Sequence, residues 1–461
     1  MNWRTAGVWV LRLIPAILLL QTLYFKFTGQ PESVRLFTAI HMEPWGRIGT
    51  GVIELFAAVL LLIPRYTGYG ALLGMAMMTG AIYFLIRIAR LLPSPRGRDV
   101  IAFGFLAGCA LGLRVLGLLL PIYAAAAILI YLPRDTGRLR FALVSTSRLL
   151  PAFVLAYLIM ILAWPWAALA PLNPVRGLFA FSEFHYSIHT AVAGKIYVMA
   201  QVPRLYVPIY ILIRMPLIVL VGAPLAMIAA LWPRRSSASP CMARKDIALV
   251  SLTLVFPLGC EVIWHGPAFD GLRHFLFVVP ALAILAGVGL DRAVAALSTR
   301  GRVFVFGALA SMAGCFLADA ITLVRLHPYE YLFYNRLVGG LEGASRRYDL
   351  DYWFGSMPEA IGQLESYLRS EPVQANKFPQ VYSVAVCGER LPFEKAVTLP
   401  QLRWDFKSEW NQSEFFIAPT HMNCDGDLDG KIIGTVERVG VAIAYIKDRR
   451  ALLSSTATAA R

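Results

Sequence analysis

Residues 270–292, DGLRHFLFVVPALAILAGVGLDR, decide the fold. Three polar residues, Asp270, Arg273 and His274, precede an uninterrupted apolar run, and Asp291 with Arg292 closes it. A helix of roughly 20 apolar residues spans a hydrocarbon core, so this stretch reads as one membrane crossing with charged groups at both ends. Similar runs occur at 7–25, 48–64, 68–86, 100–132, 149–168, 207–232, 247–264 and 303–323. The fold class is therefore an all-α polytopic membrane bundle of about nine or ten transmembrane helices. Arg114 interrupts the 100–132 run, which is too long for one upright helix, and predicts two short helices turning at the arginine. No small-residue cleavage site follows the first run, so a removed signal peptide is not expected.

Charge distribution agrees with a membrane domain and gives an orientation. Residues 1–325 hold 28 of the 43 Lys and Arg but only 11 of the 28 Asp and Glu. Cytoplasmic loops retain Lys and Arg. Arg134/Arg138/Arg140/Arg148, Arg234/Arg235/Arg244/Lys245 and Arg292/Arg300/Arg302 alternate as such loops, which puts the region after about 325 outside. Arg87, Arg90, Arg96 and Arg98 also belong inside, which requires ten spans and an external amino terminus. Nine spans put the terminus inside and leave this loop on the wrong face. Membrane topology accounts for the basic excess without nucleic acid, and the lipid bilayer is the first expected partner.

After residue 325 the pattern changes. Val381–Val386, Glu414–Ile417 and Lys431–Tyr445 alternate as strands, and Pro358–Leu368 reads as a helix, giving a soluble α/β domain. The small polar terminus 451–461 is expected to be disordered. Domain limits fall at 1–95, 96–325, 326–450 and 451–461. Cys109, Cys260 and Cys315 lie in apolar runs as small core residues, and Cys241 lies in a basic loop. Cys387 and Cys424 either pair in an oxidising compartment or remain two thiols. His185 and His189 stand four apart, the spacing of a metal pair on a helix, but no third ligand accompanies them and an amphipathic surface helix is the simpler reading. Asp425, Asp427 and Asp429 lack the terminal Glu of a calcium loop. No Walker A motif, dinucleotide fingerprint or Ser/His/Asp series appears, so neither a metal nor a cofactor is expected.

Residues 1–90 carry Leu11-Arg12-Leu13-Ile14-Pro15, Phe25-Lys26-Phe27-Thr28-Gly29, Glu43-Pro44-Trp45-Gly46-Arg47, a Gly-x-Gly-x-x-Glu ending at Glu54, and Gly80-Ala81-Ile82. This segment resembles the DoxX family of small four-helix membrane proteins, which the resemblance links to quinone and thiol redox chemistry. The absence of cysteine in residues 1–90 argues against thiol chemistry there. Arg12, Lys26 and Glu54 form an intramembrane charged cluster, either a structural ion pair or a functional group facing the bundle interior.

Residues 100–461 carry Gly108 to Gly117, Leu149-Leu150-Pro151 through Trp164-Pro165-Trp166, Leu172-Asn173-Pro174, Phe181 to Tyr210, Asp270 to Pro280, His327-Pro328-Tyr329-Glu330-Tyr331, Asn335, Gly339-Gly340 and Asp349-Leu350-Asp351-Tyr352-Trp353. Together they resemble the carboxyl-terminal two-thirds of a bacterial family 39 glycosyltransferase of the GT-C class. The resemblance implies transfer of a sugar from a polyprenyl phosphate on the external face of a bacterial inner membrane, using a pair of acids in the first external loop. This chain has no such pair, since its first loop offers only Glu32 and Glu43. The departure points to a transferase-derived protein that binds a polyprenyl-phosphate-linked sugar or assists envelope-glycan assembly without catalysing transfer. The alternatives are an active transferase using a substitute base, and a DoxX-type component in redox or envelope stress.

Lipid phosphate requires basic groups at the interface. Arg273 and His274 are the first candidates, with Arg114, Lys195, Arg204 and Tyr206 behind them, each set against a plain anchoring role. Glu183 and Asp270 are the only acids expected on the external face between residues 100 and 318, and are the candidate substitute bases or else turn residues. Tyr329, Tyr331, Asp351 and Trp353 either bind sugar through aromatic faces and a carboxylate or pack the external domain.

Overall fold

The computed structural model describes residues 77–113, 115–134, 137–164, 166–170, 172–182, 188–231, 242–266, 268–370 and 381–459, with ten scattered residues before 77. Arg12, Lys26, Glu54, Arg114, Glu183 and His185 lie outside the described residues. The described helices, in chain order, are α1 (Met77–Ala89), α2 (Gly97–Leu113), α3 (Leu119–Tyr131), α4 (Arg138–Ala163), α5 (Asn173–Ser182), α6 (Tyr206–Arg214), α7 (Leu217–Leu231), α8 (Arg244–Trp264), α9 (Val279–Ser298), α10 (Arg302–Leu326), α11 (Met357–Ser370), α12 (Arg390–Ala396) and α13 (Arg450–Ala459). Several shorter turns link them.

Among the described residues four segments are long and apolar enough to cross a membrane: Arg138–Leu162, Arg244–Trp264, Arg273–Ser298 and Arg302–Leu326. A fifth is the pair α6 and α7, bent by 116° at Met215-Pro216. Proline explains that bend, because it removes a backbone donor and disfavours helical geometry in the residue before it. Within the long run from 100, α2 ends at Leu113 and a 3-10 turn, Val115–Leu118, leads into α3. Helix α10 exposes Val303, Phe306, Leu317 and Val324. Such a surface is at home in hydrocarbon, which has no water to be ordered by it.

The chain divides into two compact units. The first unit is Met1–Phe181, Arg234–Leu254 and Phe277–Ala281. Its tightest helix contact is between α2 and α4, where Gly104 and Gly108 lie against Ala152 and Ala156. A methyl group on Gly104 would stand 2.6 Å from the Ala152 carbonyl oxygen, so only glycine permits this approach. Small residues four apart on facing helices give membrane bundles their packing enthalpy. Polar clamps close the same unit: Arg87 pairs with Asp99 at 3.2 Å and Arg90 with the fully buried Asp246 at 2.6 Å. The Tyr131 hydroxyl also donates to Asp246.

The second unit is Ser182–Pro233, Val255–Leu276 and Leu282–Arg461. It begins with a hairpin, β1 (His189–Val192) and β2 (Lys195–Val198). Ala193 and Gly194 form its turn with φ of 51° and 85°. Two consecutive left-handed residues are the two-residue turn that matches strand twist. The amphipathic helix expected through His185 and His189 is corrected here: His189 opens a strand, where a spacing of four carries no helical meaning. Alternating Thr190, Val192, Ile196 and Val198 favour extended backbone.

The carboxyl-terminal part builds a five-stranded mixed sheet from β3 (Tyr382–Val386), β4 (Leu402–Trp404), β5 (Phe415–Pro419), β6 (Lys431–Arg438) and β7 (Val441–Asp448). Its order is β4-β3-β5-β7-β6, with β3 parallel to β4 and β5, and β7 antiparallel to β5 and β6. The single apolar stretch read from 431 to 445 is two strands, because Val439 and Gly440 turn with φ of 53° and 76°. Helix α11 buries Met357, Ala360, Ile361 and Leu364. Ala385, Trp410, Phe416, Ala418 and Leu428 form a second apolar cluster, with Cys387 and Cys424 packed against it. These two cysteines form a disulfide, with Cα atoms 6.5 Å apart. The terminus expected to be disordered is helical through Ala459. Asp448 accepts the Arg450 amide at 3.0 Å, and the alanine that makes the segment look featureless is the strongest helix former.

Candidate functional site at the Asp270 loop

The loop before the span Arg273–Ser298 is built by backbone that most residues avoid. His265, Asp270 and Gly271 have φ of 53°, 52° and 67°. Left-handed backbone at a non-glycine residue costs free energy and persists only where surrounding contacts enforce it. Here they do. The Gly271 amide donates to the Tyr206 hydroxyl at 2.8 Å, and a methyl on Gly271 would press to 3.2 Å from the Tyr210 ring. Helix α6 thus supplies two stacked tyrosines, with ring centroids 4.6 Å apart, that fix the loop from one side.

Behind those tyrosines lies Asp349, with no exposure. Its carboxylate accepts from the Ala191 amide at 2.8 Å, from Tyr206 at 3.1 Å and from Thr190. Its own amide donates to Tyr210 at 3.0 Å, and its carbonyl accepts from Arg214 at 2.9 Å and from Tyr334. Arg214 lies 4.0 Å from the Tyr334 ring centroid and also donates to the Tyr331 carbonyl. The hairpin, α6 and the segment Tyr331–Asp349 are therefore one hydrogen-bonded assembly. Asp351 is equally enclosed, accepting from Gly355 at 2.7 Å, Ser356 at 3.0 Å and the Tyr331 hydroxyl.

The rigid turn closed by Asp351 presents Trp353, 61% exposed. Its ring lies 6.1 Å from Tyr331 and 5.4 Å from Tyr352. The Arg273 guanidinium stands 5.5 Å from the indole and donates to Asp270 at 2.7 Å. Burial pushes the Asp270 carboxyl above its ordinary range, with Arg273 pulling it partly back. Burial likewise raises the Tyr352 hydroxyl, opposed by Arg214 and Arg273. An exposed indole, a half-exposed guanidinium and a carboxylate thus meet at the start of an apolar helix.

Of the residues singled out in the sequence, Asp270, Arg273 and Trp353 come together. His274 turns to the Phe269 ring at 4.5 Å. Tyr206 and Asp351 are buried supports, and Tyr331 gives its hydroxyl to Asp351. Tyr329 is also buried and donates to Glu359 at 2.7 Å beneath Arg438. Lys195 is exposed on β2, and the exposed Arg204 donates to the Ile263 carbonyl at 3.4 Å. Neither reaches this group. Thr190 and Arg214 complete the assembly without having been marked as site residues, since they lie far along the chain from the Asp349–Trp353 motif that they join. Among the described residues, Cys387, Cys424 and Asp427 are the one set of ligand atoms close enough for a metal, within 4.8 Å. Their sulfurs are joined in the disulfide, which leaves no thiolate to ligate.

The chain matches no family model, no curated protein and no solved structure.

Proposed function

We propose that this protein holds the phosphate of a polyprenyl-phosphate-linked sugar at the external face of a bacterial inner membrane, and that it derives from a GT-C transferase whose catalytic acid pair is missing. The observation that carries this reading is Arg273 beside the exposed Trp353 at the head of an apolar span. Guanidinium matches phosphate in charge and geometry, and an indole face packs against the apolar side of a sugar ring. A lipid-linked ligand brings all three parts at once: chain along the helix, phosphate at Arg273, sugar over Trp353. The alternating arginine loops supply the orientation.

The reading is tested by equilibrium binding of a fluorescent polyprenyl-phosphate sugar to the purified protein in vesicles. Arg273→Gln is expected to weaken binding at least about tenfold, the value of one charge-assisted contact. Trp353→Ala weakens it less, and more for the sugar-bearing lipid than for the bare polyprenyl phosphate. Equal binding by wild type and Arg273→Gln removes the assignment.

A further inference from the structure

The guanidinium offered to phosphate is already engaged. Arg273 Nη1 donates to Asp270 Oδ2 at 2.7 Å, and the Asp270 side chain is only 15% exposed. Among the described residues, nothing else facing Asp270 replaces that partner. Asp349 is a second carboxylate and opposes its charge. Arg214 is committed to the Tyr331 carbonyl, the Tyr334 hydroxyl and the Asp349 carbonyl. The Tyr206 hydroxyl is held between the Gly271 amide and Asp349, Tyr352 is a neutral phenol, and the His274 ring lies on Phe269. A phosphate arriving at Arg273 therefore competes with Asp270 for one cation and adds a negative charge beside it.

Resting on the reading of Arg273 as phosphate holder, we propose that anion binding there is coupled to protonation of Asp270. The guanidinium transfers its hydrogen bond from carboxylate to phosphate, and the carboxylate takes one proton from solvent. Charge is conserved locally: one anion enters with one proton. Burial already favours the neutral acid, with Arg273 the main influence against it. By linkage, affinity then falls as pH rises, by at most about tenfold per pH unit for one proton. A carboxyl protonated on binding is a hydrogen-bond donor, not a base. The coupling thus counts against a transferase in which Asp270 activates the acceptor.

The backbone allows a clean test. Asp270 is left-handed, a conformation that Asn adopts readily, so Asp270→Asn removes the titration and keeps the loop. Citronellyl phosphoglucose, a short-chain phosphodiester, is a suitable probe because it stays a monoanion from mildly acidic to neutral pH. Calorimetric titration of the full chain in two buffers of different ionisation enthalpy is expected to show protons taken up on binding. Affinity should decline with pH in wild type and hold level in Asp270→Asn, which should bind more tightly than wild type at neutral pH. Binding that depends on Arg273 but takes up no protons, or that keeps its pH slope in Asp270→Asn, overturns the coupling and leaves the phosphate assignment standing. Binding equal in wild type and Arg273→Gln, or none in either, defeats both.

Discussion

Asp349 and Asp270 lie in the same unit, near the same two tyrosines, and have opposite surroundings. Asp349 is sealed, with three donors on its carboxylate and none of them shared with solvent. Among the described residues Asp270 has one partner, Arg273, whose side chain is 38% exposed. A carboxylate that satisfies every lone pair inside the protein has nothing left for a ligand. One whose single partner reaches solvent can exchange it. A buried acid near a proposed site is thus a poor functional candidate when its hydrogen bonds are complete, and a half-paired one deserves the mutation.

The comparison breaks most sharply at Asp349. Asp349→Ala leaves the Ala191 amide and one hydroxyl of the Thr190–Tyr206 pair buried without an acceptor, and is expected to cost on the order of 3–5 kcal/mol or to prevent isolation of folded protein. The midpoint of denaturation in detergent measures it. Tyr206→Phe is the intermediate case, because its hydroxyl contacts both Asp349 and the Gly271 amide. About 1–2 kcal/mol should be lost, together with part of the ligand affinity, whereas a residue serving only the sealed side would leave affinity unchanged.

A third test uses pH. Burial holds His421 below its ordinary range, with Asp349 and Asp351 opposing that shift. A histidine kept neutral in the folded state contributes full stability above the unfolded value of about 6.5, and stability is lost as pH falls below it. Glu359 follows at lower pH: burial opposes its charge, but hydrogen bonds from Arg438 and Tyr329 outweigh burial and hold it ionised, so its contribution also disappears on acidification. The thermal midpoint should therefore fall from neutral toward acidic pH, and His421→Gln should flatten the first part of the decline. The smallest effect is expected for Asp270→Asn, within about 1 kcal/mol of wild type in stability because Asn keeps the backbone and volume. A loss as large as that of Asp349→Ala would erase the distinction between the two acids.

Much of the fold is legible in the sequence for a simple reason. Long apolar runs such as 274–290 have one stable environment, and period-two alternation such as 382–386 has one stable backbone. The division of the 100–132 run into two short helices is local in the same sense, whereas the sequence decided neither the bend at Met215-Pro216 nor the Cys387–Cys424 pairing. Where local reading misleads, a competing preference has won: Ala193-Gly194 turns a presumed surface helix into a hairpin, and an alanine-rich terminus capped by Asp448 becomes α13. The candidate site was half visible. Asp270 and Arg273 stand three residues apart and announce an ion pair, and Trp353 is conspicuous among acids. Thr190 and Arg214 give no such sign, because their meeting with Asp349 depends on side chains from separate elements arriving at one point.

The sequence by itself determined that several helices are long and apolar enough to suit a membrane and that a sheet-containing region follows them. These follow from the cost of placing charge and unpaired backbone in hydrocarbon, which composition alone reveals. Only the tertiary structure decided which carboxylate is spent on holding the molecule together and which retains an exchangeable partner. That distinction lies in how many donors surround each oxygen, and no count along the chain contains it.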